Sequence, residues 1–188
     1  MKKLSIAVVD YGCGNIHSAT KALELAVNET NINGSVVLTR DPEKIIQADK
    51  LILPGVGAFE SCIKKLKKID GLKESLDEAA LKLAKPILGI CIGLQLMSTM
   101  SFEGGKHKGL NWIEGDVIPL DPGNNILKVP HMGWNEINIE RSHPVFTKLE
   151  DKDFYFVHSF RFSPKSSESV ISSTNYGNNF ASSLGKDN

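Results

Sequence analysis

Cysteine is scarce in this 188-residue sequence, and the three present, Cys13, Cys62 and Cys91, are an odd number at wide, irregular spacing. That argues against a disulfide framework and against a zinc site, and it predicts a reducing compartment. Surplus charge of either sign is missing too, since 22 Lys and Arg stand against 22 Asp and Glu. Nothing therefore steers the chain toward nucleic acid or an anionic membrane. Long apolar runs are absent as well. Leu4 to Val9 follows Met1-Lys2-Lys3 in the manner of a short signal peptide, but it stops at Asp10. It is too short for a secretory core and far too short to span a bilayer. It reads as the first core strand of a cytosolic protein. There are no repeats, and the one biased segment is the serine-rich stretch from Ser163 to Ser173.

What remains is ordinary globular composition, 41% hydrophobic and 23% charged. The length suits one well-packed domain and is too short for two comfortable ones. Asn15 is placed to cap a helix over Ile16 to Val27, whose apolar positions recur at helical spacing. Gly12 and Gly14 suggest a phosphate-binding turn. The dinucleotide fingerprint is incomplete, however, because position 17 is His, and a plain strand-to-helix turn is the preferred reading. Val36 to Thr39 and Lys50 to Leu53 read as further strands, with Asp41-Pro42 opening a short helix between them. Ala58 to Ile69 and Leu72 to Ala84 read as amphipathic helices, and the lysines at 64, 65, 67 and 68 as a solvated face.

The stretch from Lys85 to Met97, KPILGICIGLQLM, organises this half. Pro86 to Ile90 reads as a buried parallel strand, followed by a sharp turn and a helix starting near Leu94. Cys91, set between Gly89 and Gly93, suits the strained elbow that presents a nucleophile above a sheet edge. A free thiol titrates near about 8.5, and the positive end of a following helix would favour thiolate there. The backbone N–H of Ile92 would face the same space and donate to an oxyanion. The glycine-rich turn Pro54-Gly55-Val56-Gly57 lies where open α/β sheets bind ligands, and its amides would complete that oxyanion hole. The plainer alternatives are an inert core cysteine and another ordinary turn.

After Met100 the character changes. Ser101 to Lys108 reads as a polar loop. Val117 to Leu120, Ile126 to Val129, Trp134 to Ile139, Phe154 to Val157, Val170 to Ser173 and Phe180 to Leu184 then read as short, mostly antiparallel strands. The layout is an α/β half followed by a β-rich extension.

Four motifs stand in order: Pro54 to Phe59 (PGVGAF), Gly89 to Gln95 (GICIGLQ), Val129 to Asn135 (VPHMGWN) and Phe154 to Ser159 (FYFVHS). With them the chain closely resembles the class I, triad-type glutamine amidotransferases, and among these the HisH family of glutaminase subunits of imidazole glycerol phosphate synthase. The resemblance runs from Ile6 to the last residues. It implies an α/β, flavodoxin-like fold with a mostly parallel central sheet flanked by helices, in a single domain over residues 1–188. It also implies that Cys91 attacks the side-chain amide of L-glutamine, giving a γ-glutamyl thioester and ammonia. Gly55, Val56, Gly57 and Ile92 would hold the oxyanion, and Gln95, His158, Ser159 and Phe160 would position the α-amino and carboxylate groups. Asn15, Pro130 and Trp134 would lie toward a HisF-type (β/α)8-barrel partner. That partner would consume the ammonia in forming imidazole glycerol phosphate and AICAR for histidine biosynthesis. No cofactor or metal is implied.

In the family, the His–Glu pair that moves the proton sits in a Phe-His-Pro-Glu motif after a segment like Tyr176 to Phe180. None of His17, His107, His131, His143 and His158 has a Glu two residues later. The expectation is a fragment that lacks the final His/Glu-bearing strand and the terminal helix, with a natural short form as the alternative. Two other readings stay open, a paralogue feeding an amino-sugar synthase and a non-catalytic binding subunit.

Overall fold

The computed structural model describes residues 3–123 and 126–186. Met1 and Lys2 at the start, and Asp187 and Asn188 at the end, lie outside the described residues. Two compact units divide the chain near Met97 and Ser98.

In the first unit, strands β1 (Leu4–Val9), β2 (Gly34–Thr39), β3 (Lys50–Gly55) and β4 (Ile87–Cys91) alternate with helices α1 (Ile16–Glu29), α2 (Pro42–Gln47), α3 (Phe59–Lys68) and α4 (Leu72–Asp77). A short helix, α5 (Ile92–Gln95), follows β4 directly. The four strands form a parallel sheet in the order β2-β1-β3-β4. This is the layout expected where helical crossovers join apolar, β-branched runs. The first two helix starts follow their caps. The Asn15 side chain accepts from the Ser18 N–H, and Asp41 accepts from the Glu43 N–H just ahead of Pro42. β1 and β3 carry the core through Ala7, Val8, Val9, Leu51 and Leu53, with Phe59 and Leu66 of α3 and Leu72 and Leu76 of α4 also fully buried.

Several expectations need correcting. The segment around β4 is not a buried strand: Leu88 is 49% and Ile90 42% exposed. β4 ends the strand order, so among the described residues only β3 hydrogen-bonds to it, and an apolar run cannot by itself report whether both flanks are covered. The helix expected over residues 72–84 changes after Asp77 into a π-helical turn at Glu78–Lys82. The helix after the elbow begins at Ile92, earlier than expected, and lasts one turn. So few aligned peptide dipoles cannot supply the thiolate-favouring field that a full helix would give.

The second unit is built from short strands. β5 (Met100–Ser101), β6 (His107–Lys108), β7 (Gly115–Pro119), β8 (His131–Glu136) and β9 (Asn138–Ile139) come first. β10 (Asp153–His158), β11 (Phe160–Pro164), β12 (Val170–Tyr176) and β13 (Asn178–Leu184) complete it. They form the sheets β11-β7-β5-β6, β13-β12-β9 and the ribbon β10-β8. All pairs are antiparallel except β5 with β7. Two expectations fail here. The segment read as a polar loop over residues 101–108 is bracketed by the β5–β6 pair. Ile126 to Val129 forms no strand. Its apolar run lacks the alternation of a half-buried strand, and its Lys128 carbonyl is taken by the Tyr176 hydroxyl at 2.8 Å.

Gly93 shows how tightly the elbow is built. A Cβ there would overlap the Leu53 carbonyl oxygen of β3. We expect Gly93→Ala to cost at least about 3 kcal/mol, because the obstacle is backbone and cannot swing aside. Urea unfolding of the variant measures this, and a loss under about 1 kcal/mol would show that the two segments separate easily.

Candidate active site

Cys91 ends β4 with φ 55° and ψ −114°. A non-glycine residue at positive φ is strained, and such strain persists only where the surroundings enforce it. Here β3 is the enforcing element, since the parallel register sets Gly55 opposite Cys91 and Pro54 opposite Ile90. Cys91 is an exposed residue and is in no disulfide. A reduced, accessible sulfur on a strained strand-to-helix turn is the arrangement that nucleophilic catalysis needs.

The proposed oxyanion segment begins on that same register. Gly55 is the last residue of β3, Val56 projects into solvent, and Gly57 has φ 113°. Three neighbours brace the segment. The buried Tyr11 hydroxyl donates to the Pro54 carbonyl at 2.6 Å, and the Cys62 thiol donates to the Val56 carbonyl at 3.5 Å. Gly14 backs onto it so closely that a Cβ would stand 3.2 Å from the Gly55 nitrogen. Burial first, then the neighbouring cysteines Cys62, Cys13 and Cys91, pushes the Tyr11 phenol well above its ordinary value, so it remains a protonated donor. Ile92 and Gln95 are both buried on α5.

Beside this loop lies an open pocket of about 520 Å³, lined by Gly12 to Asn15, Val56 to Ala58, Ser61, Cys62 and Lys65. Asn15 is exposed at its rim, and Lys65 reaches back to the Gly12 carbonyl at 3.0 Å instead of lying wholly in solvent. The glycine turn serves the packing of Pro54 and Gly55, in keeping with the plain-turn reading.

In the second unit, His158, Ser159 and Phe160 form the corner where the chain leaves β10 for β11. The corner is tied down by the Leu120 N–H, which donates to the Ser159 carbonyl at 2.8 Å. The His158 Nδ1 lies 2.9 Å from the Phe160 carbonyl, and its Nε2 lies 3.0 Å from Nδ1 of His131. His131 Nε2 in turn lies 3.2 Å from Nδ2 of Asn135, which also donates to the Asn175 carbonyl at 2.9 Å. A carbonyl only accepts, so His158 must carry its proton on Nδ1. His131 must then donate from Nδ1 and accept from Asn135 at Nε2. Two neutral imidazoles satisfy every link, and a third ring proton has no acceptor. His131 is buried and stacked between Phe156 and Tyr176, at centroid distances of 4.8 and 3.9 Å. His158 thus spends both ring nitrogens inside this unit and is unsuited to serve as a general base.

On the other face of the ribbon, Tyr155 pairs with Trp134 and Val157 with Met132. All four are exposed, Trp134 by 73%. Pro130 is exposed just before this ribbon, after a cis peptide bond to Val129. The remaining histidines are unremarkable: His17 is exposed on α1, His107 is in β6, and His143 accepts from the Val145 N–H in a turn.

Reading the sequence alone did not pick out Tyr11, Cys62 or the His131–His158 link. Tyr11 left one usable signal, its place at the carboxyl end of the first strand, where α/β folds build their sites. The histidine link depends on cross-strand register and left none.

Burial, and for His131 also the neighbouring His158, lowers the pKa of both rings, while the Phe160 carbonyl raises that of His158 in part. With folded values depressed below 6.5, the unfolded chain takes up protons first as the pH falls. The stabilisation is complete above about pH 6.5 and is lost as the pH falls through the folded values. Denaturant titrations from about pH 7.5 to about pH 5 are expected to show falling stability, with a shallower fall in His131→Phe. An equal slope in that variant would place the titration elsewhere.

The family model described as glutamine amidotransferase class-I matches residues 7–187. The imidazole glycerol phosphate synthase subunit HisH of Agrobacterium fabrum is 43% identical, over 98% of this chain and 88% of its own length. Its counterparts in Rhodopseudomonas palustris and Rhodospirillum rubrum are 44% and 42% identical, each over 98% of this chain and 87% of theirs. With a strained cysteine elbow in register with PGVG and a match across nearly its whole span, the chain belongs to the class I glutamine amidotransferases, in the family of the imidazole glycerol phosphate synthase subunit HisH.

Proposed function

We propose that this chain is the glutaminase subunit of imidazole glycerol phosphate synthase, hydrolysing L-glutamine to glutamate and ammonia for histidine biosynthesis. The observation that carries this reading is the parallel register that sets Gly55, the first residue of the glycine-rich loop, opposite Cys91. The Cys91 thiolate attacks the glutamine Cδ, forming an S–C bond and placing negative charge on the amide oxygen. The loop from Gly55 to Gly57 and the N–H of Ile92 hold that oxyanion. Collapse breaks the C–N bond, the nitrogen takes a proton and leaves as ammonia, and water hydrolyses the thioester. Gln95 and the segment from His158 to Phe160 take the roles of recognising the α-amino and carboxylate groups. Because the His158 ring is engaged elsewhere, its segment acts through backbone and Ser159.

The ammonia passes to a HisF-type (β/α)8-barrel cyclase subunit. In open water at neutral pH it would be protonated and lost, so enclosure preserves it as a nucleophile. The exposed ladder of Met132, Trp134, Tyr155 and Val157 has the aromatic, apolar character of an interface core, and Pro130 and Asn15 are assigned to the same partner. No helix among the described residues is long and apolar enough to cross a membrane.

With the partner present, Cys91→Ser is expected to lower glutamine hydrolysis by about 10³-fold or more. Hydrolysis at the original rate would remove Cys91 from the chemistry and sink the assignment. Trp134→Ala is expected to weaken partner binding by about 2 kcal/mol, roughly thirtyfold, as read by calorimetry. Unchanged affinity would place the interface elsewhere.

A further inference from the structure

The segment from Pro54 to Gly57 is gripped at two carbonyls by side chains that take no part in the mechanism above. Tyr11 donates to the Pro54 oxygen at 2.6 Å, and Cys62 donates to the Val56 oxygen at 3.5 Å. A peptide unit is planar, and among the described residues the one cis bond is Val129–Pro130. In a trans unit the carbonyl and the following N–H point in opposite directions, so holding the oxygen also aims the amide. Tyr11 therefore fixes the plane that ends in the Gly55 N–H, which faces β4 in the parallel ladder and anchors the start of the loop, and Cys62 fixes the plane that ends in the Gly57 N–H beyond the ladder. The fit leaves no slack: a Cβ on Gly55 would stand 2.6 Å from the Tyr11 hydroxyl oxygen and 2.7 Å from the Gly93 nitrogen.

We propose that Tyr11 is a positioning residue for glutamine hydrolysis, with Cys62 as its second support. Their hydrogen bonds hold the Pro54–Gly55 and Val56–Gly57 peptide planes on either side of Val56, so that the Val56 and Gly57 amides are oriented before charge develops at Cys91. The inference rests on the reading of residues 55–57 as the oxyanion loop. Its physical basis is that donors aimed in advance need no reorganisation as the oxyanion forms, whereas a loosened loop must be ordered in the transition state. Tyr11 suits a constant role of this kind, since its buried phenol stays protonated. Cys62 is a weaker donor at a longer distance, so its share is smaller.

The test uses the full-length chain with its cyclase partner. Tyr11→Phe removes one hydroxyl and keeps the ring. We expect kcat for glutamine to fall about tenfold or more, with KM within about twofold, because the lost order acts in the transition state. Alkylation of Cys91 by iodoacetamide, a displacement that forms no oxyanion, should proceed at the original rate. Cys62→Ala should lower kcat less, and Cys62→Ser, which restores a hydrogen-bond donor, should recover part of that loss.

Unchanged kcat in a folded Tyr11→Phe variant whose hydrolysis still requires Cys91 would overturn the inference and leave the glutaminase reading standing. An equal loss of iodoacetamide reactivity would also overturn it, by showing that the whole turn is disrupted. If Tyr11→Phe does not fold, the Cys62→Ala and Cys62→Ser pair decides in the same way. Glutamine hydrolysis that survives Cys91→Ser would instead remove the glutaminase reading, and this inference with it.

Discussion

The contact of Gly93 with the Leu53 carbonyl is the constraint on which the first unit's chemistry depends. Only a residue without a Cβ lets α5 turn so close to β3, and that closeness holds Cys91 at positive φ. The strained backbone at Cys91, the exposure of that residue and its register with Gly55 are then consequences of one backbone approach. Protein interiors resist continuous deformation, so such an approach is either made fully or not at all. The two glycines that flank Cys91 have distinct tasks. Gly93 admits β3, and Gly89 admits the start of the helix, since a Cβ there would meet Leu94 backbone atoms at 2.8 Å.

The same economy appears in how polar groups are used. Tyr11, Cys62 and the Asn135–His131–His158 chain all end on backbone carbonyls at or next to strand ends. Each turns a buried side chain into a brace for a corner of the chain. In the second unit the brace has a direction set by acceptors that cannot donate, which makes it a neutral device. Burial acts to the same end by disfavouring charge on either ring.

Much of this was legible in the sequence. β1, the caps Asn15 and Asp41, and the nucleophile elbow each follow from local rules in which one or two residues decide the backbone. The antiparallel character of the second half was legible for the same reason, through short apolar runs separated by turn residues. The errors arose where local pattern says nothing about neighbours. Ile126 to Val129 has strand composition but no strand to pair with among the described residues, and Leu88 and Ile90 have core composition on an edge strand. The one-turn length of α5 was equally hidden, because a helix end set by packing leaves no capping residue to read.

The sequence by itself therefore determined the chemistry on offer: Cys91 set between Gly89 and Gly93, the glycine-rich turn that follows Leu53, and the order of motifs that marks the family. Tertiary structure alone decided which groups meet. Gly55 faces Cys91, Tyr11 grips Pro54 and His131 reaches His158 through strand register and side-chain packing across gaps of 36, 43 and 27 residues. The reason is physical: turn and cap preferences act over a few residues, whereas register and close backbone approach are fixed only when distant segments pack together.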